Sequence, residues 1–443
     1  MKRLFFLAAF LSFSACLFAQ HDNLKHITLT VDDAVKMALE NNITVRRGKI
    51  TLDAAERTKA HSWNSISPTA DVSGGLSIPD GLGDSANPSD YTASVSGSLS
   101  LSFSPNLFTS IQTARLSYEQ GKMTYEQTCS TIELSVRKAF YGLLYEQENI
   151  TLQRRNLRTA KEQYEQNKAK YDQGRMSELD VLSAEVKYKA LQPTVESAYV
   201  TFLNDLDAFI QLIGMEERCF IDFSGSLDDV KVDENFSLDG MTLTSPKLEL
   251  MKKQMESADV ALLGVRFNAY APTITAGWQH TLSTMPSKSG STTDTGKISL
   301  TAKIPLDGIL PWSTKADSVA KAKDTIEDLK LQLENEEKSL KVNAEGAVRK
   351  IRQSQSSIKS KQANVELAQR TYDMTLQAYN RGTKDLLSLQ NASDSLLSAE
   401  TTLKSEQRNL INAVLELENT LGVPYGTYSG TKDTKQKNEK QGE

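Results

Sequence analysis

Four histidines and three cysteines are the side chains of this 443-residue sequence best suited to chemistry, and their spacing gives them none. His21, His26, His61 and His280 include no i, i+4 pair, so no helix face offers two imidazoles to one metal ion. Cys16, Cys129 and Cys219 form no C-x-x-C pattern for a metal or a redox couple. A Gly-rich phosphate loop, a nucleophile elbow and a paired-carboxylate motif are all missing from the chain. The expectation is a protein that is not an enzyme and takes neither cofactor nor metal. What does recur is a turn. Tyr171-Asp172-Gln173-Gly174 returns 208 positions later as Tyr379-Asn380-Arg381-Gly382, and Ile213-Gly214-Met215 returns at the same offset as Leu421-Gly422-Val423.

Long helices must hold those turns. Val136, Leu143, Ile150, Leu157, Tyr164 and Tyr171 are spaced by seven, and Ile351, Ile358, Val365, Tyr372 and Tyr379 repeat the last five places in the second half. Beyond the turns, Val181, Tyr188, Val195, Phe202 and Phe209 form a second series, matched by Leu389, Leu396, Leu403, Leu410 and Leu417. A seven-residue apolar repeat specifies helices packed along a continuous seam, and one register kept twice at one offset is a duplication. Each half therefore carries a long helical hairpin. The first rising helix is expected from Phe108 to Gln173, about 100 Å at 1.5 Å per residue. Gly174 and Gly382 end the rising helices as C′ glycines. Either Ser177 or Asp180 then caps the next helix, and Pro193 should kink or break the returning helix of the first half.

The start of each half repeats as well. Trp63-Asn64-Ser65-Ile66-Ser67-Pro68-Thr69 matches Phe267-Asn268-Ala269-Tyr270-Ala271-Pro272-Thr273, 204 positions on. Each copy ends a helix, the first expected over Val31–His61, and opens a strand. The organisation expected is a leader (1–20), a first repeat of helix, strand pair and helical hairpin (21–215), a linker (216–243), a second repeat (244–425) and a disordered polar tail (426–443).

Four strands carry the period-two pattern. Over Tyr91–Ser104, Val95, Leu99, Leu101 and Phe103 alternate with serines. Ile274, Ala276 and Trp278 alternate with polar residues, as do Ile298, Leu300, Ala302 and Ile304, and a Gly-rich strand spans Thr69–Ile78. The polar stretches 79–90 and 283–296 read as loops. Alternation over about ten residues suits either a half-buried soluble sheet or a membrane β-barrel. The barrel is the stronger reading, because very long helices leave nothing to cover an apolar sheet face. Four strands cannot close a barrel, whereas three copies supply twelve.

Composition agrees with export and with narrow helical seams. Only 39% of residues are hydrophobic, and a formal net charge of −5 without a basic face argues against nucleic acid. Lys2 and Arg3, the apolar Leu4–Leu11 stretch and a small-residue site after Ala19 or Gln20 form an export leader. Ser14-Ala15-Cys16 also resembles a lipoprotein box, which would place a lipid on Cys16. After export Cys129 and Cys219 remain, either as one disulfide or free. No mature segment is apolar over 18 residues, so a membrane span would have to be a barrel.

The order of helix, strand pair and long hairpin, given twice, resembles the TolC-like outer-membrane efflux protein family over nearly all of the mature chain. The opening Leu29-Thr30-Val31-Asp32-Asp33-Ala34-Val35-Lys36-Met37-Ala38-Leu39-Glu40-Asn41-Asn42 and the tips Tyr171–Glu185 and Tyr379–Ala392 carry the resemblance. It implies a mainly α fold with a membrane β-barrel: a homotrimer whose twelve-strand barrel continues into a twelve-helix tunnel in the periplasm. The implied function is an outer-membrane exit duct for a tripartite efflux pump or type I secretion system. Its partners would be outer-membrane lipid, a periplasmic adaptor and an inner-membrane transporter. The alternative is a periplasmic coiled-coil adaptor or scaffold. Asp180 and Tyr379 match the family's gate pair, and Lys384 matches a further basic tip contact, although Leu179 stands where its partner is usually polar. Ser388 and Asn391 replace two aspartates that ring the pore in well-studied members. Gly174, Arg175, Gly382 and Leu386 are the candidates for adaptor docking.

Overall fold

The computed structural model describes residues 26–78, 91–215, 220–228, 232, 243–285 and 291–428. The leader with Cys16, residue Cys219, most of the linker, residues 79–90 and residues 429–443 lie outside the described residues. In chain order the elements are β1 (His26–Leu29), α1 (Val31–Asn41), α2 (Ile43–Ala60), β2 (Thr69–Ser77), β3 (Thr92–Phe103), α3 (Asn106–Asp172) and α4 (Glu178–Ile213). They continue with β4 (Phe220–Phe223), α5 (Pro246–Tyr270), β5 (Thr273–Met285), β6 (Ser291–Lys303), α6 (Thr314–Asn380) and α7 (Leu386–Leu421). The duplication is visible in the lengths. α3 and α6 have 67 residues each, and α4 and α7 have 36 each.

The chain divides into two compact units. The first comprises Met1–Arg46, Thr128–Leu243 and Lys341–Glu443. Its core lies where α3 meets α4. Val136, Phe140 and Leu143 pack with Leu206, Phe209 and Ile213, and Ala34, Val35 and Ala38 of α1 complete the cluster with Ile221 of β4. Phe140 stands edge-on to Phe223 with ring centroids 5.2 Å apart. The heptad position Val136 within this core is at 0% exposure, and burial fades along its seam until Tyr171 is 43% exposed.

Three features of this unit differ from the sequence expectation. The first helix is two helices, because Asn42 leaves helical geometry at φ −60°, ψ 128°. Its side chain donates to the Leu212 carbonyl (2.8 Å) and accepts from the Thr44 amide (2.8 Å), so it caps α2 while tying it to α4. Pro193 does not break α4, which runs unbroken through it. Lys189, whose carbonyl loses its donor, is exposed with Pro193, so water can replace that hydrogen bond. Inside the expected linker, β4 pairs in parallel with β1, from His26↔Phe220 to Leu29↔Phe223. Four residues are too few for periodicity to mark.

The second unit comprises Arg47–Gln127 and Thr244–Leu340. It holds one antiparallel sheet in the order β2-β3-β5-β6, so the two repeats contribute one hairpin each. The hairpins join along β3 and β5, from Ala93↔Thr284 to Phe103↔Ile274. β5 and β6 reach thirteen residues, so most of the expected loop 283–296 is strand. The alternation is lost there because Thr292, Thr293 and Thr295 are β-branched but polar. His280 and Asp294 also occupy outward positions, where His280 Nε2 lies 2.7 Å from an Asp294 carboxylate oxygen. Ser245 caps α5 by accepting from the Leu248 amide (3.1 Å), and Lys253 of that helix pairs with Glu119 of α3 (3.1 Å).

Candidate functional site

The sheet has two unlike faces. On one, Val72, Val95, Leu99, Leu101, Phe103, Ile274, Trp278, Leu282, Ile298 and Leu300 are all at least 40% exposed, an apolar surface interrupted by His280 and Asp294. Covering such a surface would stabilise the unit, since each large apolar side chain gains roughly 1.5–3 kcal/mol on burial. The other face is lined by hydroxyls. Thr69 and Ser100 meet at 2.7 Å, Ser73 and Ser96 at 2.9 Å, and Ser102 and Thr275 at 3.1 Å, each pair across neighbouring strands. Serine at every second residue of β3 builds this face, and the register brings the apolar residues of all four strands to the other.

The helix turns form the second candidate region, within the first unit. Gly174 and Gly382 adopt φ +70° and +75°, where an L side chain is strained, and each ends its helix with paired backbone hydrogen bonds. At the first turn Ser177 is the cap: its Oγ accepts from the Asp180 amide (3.2 Å) and donates to the Asp180 carboxylate (2.7 Å). At the second, Asp385 caps α7 by accepting from the Ser388 amide at 3.1 Å. The hydrogen bonds from Ser388 hold the Asp385 carboxyl below the usual carboxylate range. Ser388 is thus half-buried and committed to the cap.

Tyr379 does not bond Asp180 within the chain. Its hydroxyl donates to Asn167 Oδ1 at 2.7 Å, and Lys170 Nζ stands 5.3 Å from its ring centre. Burial pushes the Tyr379 hydroxyl up in pKa, against the pull of the Asn167 bond, and the Asp180 charge raises it further. Asp180 is therefore near enough to be felt but not bonded. Arg175 and Lys384 are exposed. Asn391 is exposed too, and lines a groove of about 600 Å³ with Lys361, Asn364 and Asp394. Leu386, expected at the docking surface, is only 5% exposed in a single chain, while Leu387 is 61% and Leu179 73% exposed.

Sequence reasoning missed Asn167, which is 1% exposed with an unpartnered Nδ2. It also missed the links between the repeats. Asn156 Oδ1 accepts from Ser393 (3.0 Å), Lys187 pairs with Asp394 (2.6 Å) and Lys138 with Glu416 (2.6 Å). The signal was present, because Asn149, Asn156 and Gln163 recur by seven, and Glu146, Gln153 and Asn167 share another heptad position interrupted by Ala160. Among the described residues no group of three or more His, Cys, Asp or Glu side chains could hold a metal ion. Cys129 is free. Among the described residues, no helix is long and apolar enough to cross a membrane.

The outer membrane efflux protein model matches residues 34–214 and 245–423, one stretch for each repeat. The chain belongs to the outer membrane efflux protein family. That family is one of outer membrane channels. Solved channels share the fold at low identity. The CmeC outer membrane channel of Campylobacter jejuni is 16% identical with a TM-score of 0.72, over 93% of this chain and 88% of that one. CusC is 14% identical with a TM-score of 0.73, over 92% and 96%. The open-state MtrE outer membrane channel of Neisseria gonorrhoeae is 16% identical with a TM-score of 0.70, over 89% of each. A comparison with curated proteins finds no match.

Proposed function

We propose that this chain is one of three identical subunits of an outer-membrane exit duct. Its sheet contributes to a shared twelve-strand barrel, and its helical hairpins line a tunnel in the periplasm. A tripartite efflux pump or a type I secretion system would deliver cargo through an inner-membrane transporter and a periplasmic adaptor. The observation that carries this reading is the sheet: four strands, one face largely apolar and exposed, the other lined by hydroxyls. Lipid covers the first face and water fills the second, which is the division a β-barrel requires. The solved relatives, CusC described for transmembrane channel formation and MtrE in an open state, support the same reading.

In this account the helix turns form the gate. Asp180, Tyr379 and Lys384 hold it closed, Ser388 and Asn391 leave the constriction without charge, and Gly174, Arg175 and Gly382 meet the adaptor. Such contacts at the closed end depend on neighbouring helices, so removing both Asp180 and Tyr379 side-chain functions tests them. Purified Asp180→Ala, Tyr379→Phe protein in planar lipid bilayers should show a higher single-channel conductance than wild type. Unchanged conductance would remove these residues from the gate, and no channels from wild-type protein would overturn the duct itself.

A further inference from the structure

The duplication breaks where the sheet passes into the long helices. β3 leads into α3 through residues 104–105 alone, whereas β6 leads into α6 through residues 304–313. A surface connection is ordinarily polar, but this one reads Ile304-Pro305-Leu306-Asp307-Gly308-Ile309-Leu310-Pro311-Trp312-Ser313. Its large apolar side chains are all exposed, Leu306 and Ile309 at 69% and Trp312 at 81%.

The segment is nevertheless held in shape. Ile309 donates its amide to the Leu306 carbonyl (3.2 Å) and Ser313 to the Leu310 carbonyl (3.0 Å). Asp307 pairs with Lys315 at 2.9 Å. Gly308 is buried against the end of α5, where a Cβ would collide with the Ala269 carbonyl oxygen. A 3-10 turn sets residues i and i+3 in line, so Leu306 and Ile309 project together while Gly308 faces α5.

Two observations say what covers these side chains. The first is that the apolar face of the sheet is short. From Ile274 to Leu282 the outward series of β5 covers about 27 Å of strand at 3.4 Å per residue. At the usual tilt that is about 20 Å of height, against an apolar band of about 25 Å in a membrane barrel. The polar His280 and Asp294 lie toward the end away from the helices, so the missing height belongs to the helix end. There Ile304 continues the outward series of Ile298, Leu300 and Ala302 beyond the last rung. The second observation is that all four strands carry an exposed aromatic at that end: Trp63 ahead of β2, Phe108 behind β3, Tyr270 ahead of β5 and Trp312 behind β6. Aromatic girdles flank the apolar band of a membrane barrel.

We infer that the β6–α6 connection is a lipid-binding element. Leu306, Ile309 and Trp312 enter the boundary between headgroups and acyl chains of the periplasmic leaflet, just below the apolar band that Ile304 ends. The inference rests on the proposal that the apolar face of the sheet meets lipid.

The chain holds three tryptophans, Trp63, Trp278 and Trp312, which makes the test direct. Trp278 lies within the apolar face, opposite Ile298. Full-length protein is reconstituted in phosphatidylcholine vesicles in two single-tryptophan forms, Trp63→Phe with Trp278→Phe and Trp63→Phe with Trp312→Phe. Emission from Trp312 should fall most with lipids brominated near the ester linkage, and emission from Trp278 most with lipids brominated toward the chain ends. Leu306→Ser with Ile309→Ser should weaken the quenching of Trp312 and leave that of Trp278 unchanged; Trp312 quenching that does not weaken overturns the element. Trp312 quenched by aqueous acrylamide and not by brominated lipid would put the connection in water. Trp312 reached by neither would bury it against a neighbouring copy. Each of these overturns the inference, while quenching of Trp278 by lipid still upholds the lipid-facing sheet. Trp278 untouched by any brominated lipid overturns the lipid face and this element with it.

Discussion

Single residues decide whether the helical unit tolerates its own polar seam. Glu146 lines a cavity of about 280 Å³ with Leu143, Asp205, Phe209 and Arg408. Burial pushes its carboxyl up to about 7 from an ordinary value near 4.5, helped by the hydrogen bond and charge of Asp205 and opposed by Arg408. A carboxyl raised in the folded state favours folding while it is protonated. Its contribution is complete below about pH 4.5 and is lost as pH rises to about 7. Glu146→Gln should therefore flatten the fall in thermal midpoint over that interval, and an unchanged slope would show that Glu146 does not titrate there. Ser388 gives a second residue-scale expectation, resting on the proposed pore. Ser388→Asp should increase block of the channel by multivalent cations, because three aspartates around one axis concentrate negative potential. A channel whose cation block does not change would place Ser388 away from the constriction.

At the scale of elements, much of the architecture was legible because it is periodic. The heptad series that begin at Val136 and Leu389 lie in the seams they specify, and Leu389 and Leu417 are both at 0% exposure. Leu417→Ala should cost about 2–5 kcal/mol, read as a lower denaturant midpoint of the helical circular dichroism signal; a loss under about 1 kcal/mol would mean that the seam relaxes around the gap. What could not be read was aperiodic. Asn42 divides α1 from α2 by side-chain hydrogen bonds to a residue 170 positions away, which no local pattern announces. β6 begins at Ser291 because its ladder with β5 holds polar threonines in place, where hydropathy alone suggests a loop. The chain after α7 gives a further case. Gly426 and Tyr428 donate their amides to the fully buried Glu418 carboxylate at 2.8–3.1 Å, so the first residues of a segment read as a polar tail are held against the helix. Of the turn residues, the paired glycines were legible from repetition. The Tyr379–Asn167 bond was not, since it joins the two repeats through side chains alone.

For the whole molecule, the exposed apolar face of the sheet and the membership of an outer membrane channel family point the same way. A single chain leaves that face in water and, among the described residues, both sheet edges open, two liabilities that closure among copies within lipid removes together. The most direct test of that claim is the mass of the mature protein extracted from outer-membrane fractions in mild detergent. A trimer that requires detergent to stay in solution and falls to monomers on heating is the predicted result. A protein that remains in solution as a monomer or dimer without detergent would contradict the shared barrel.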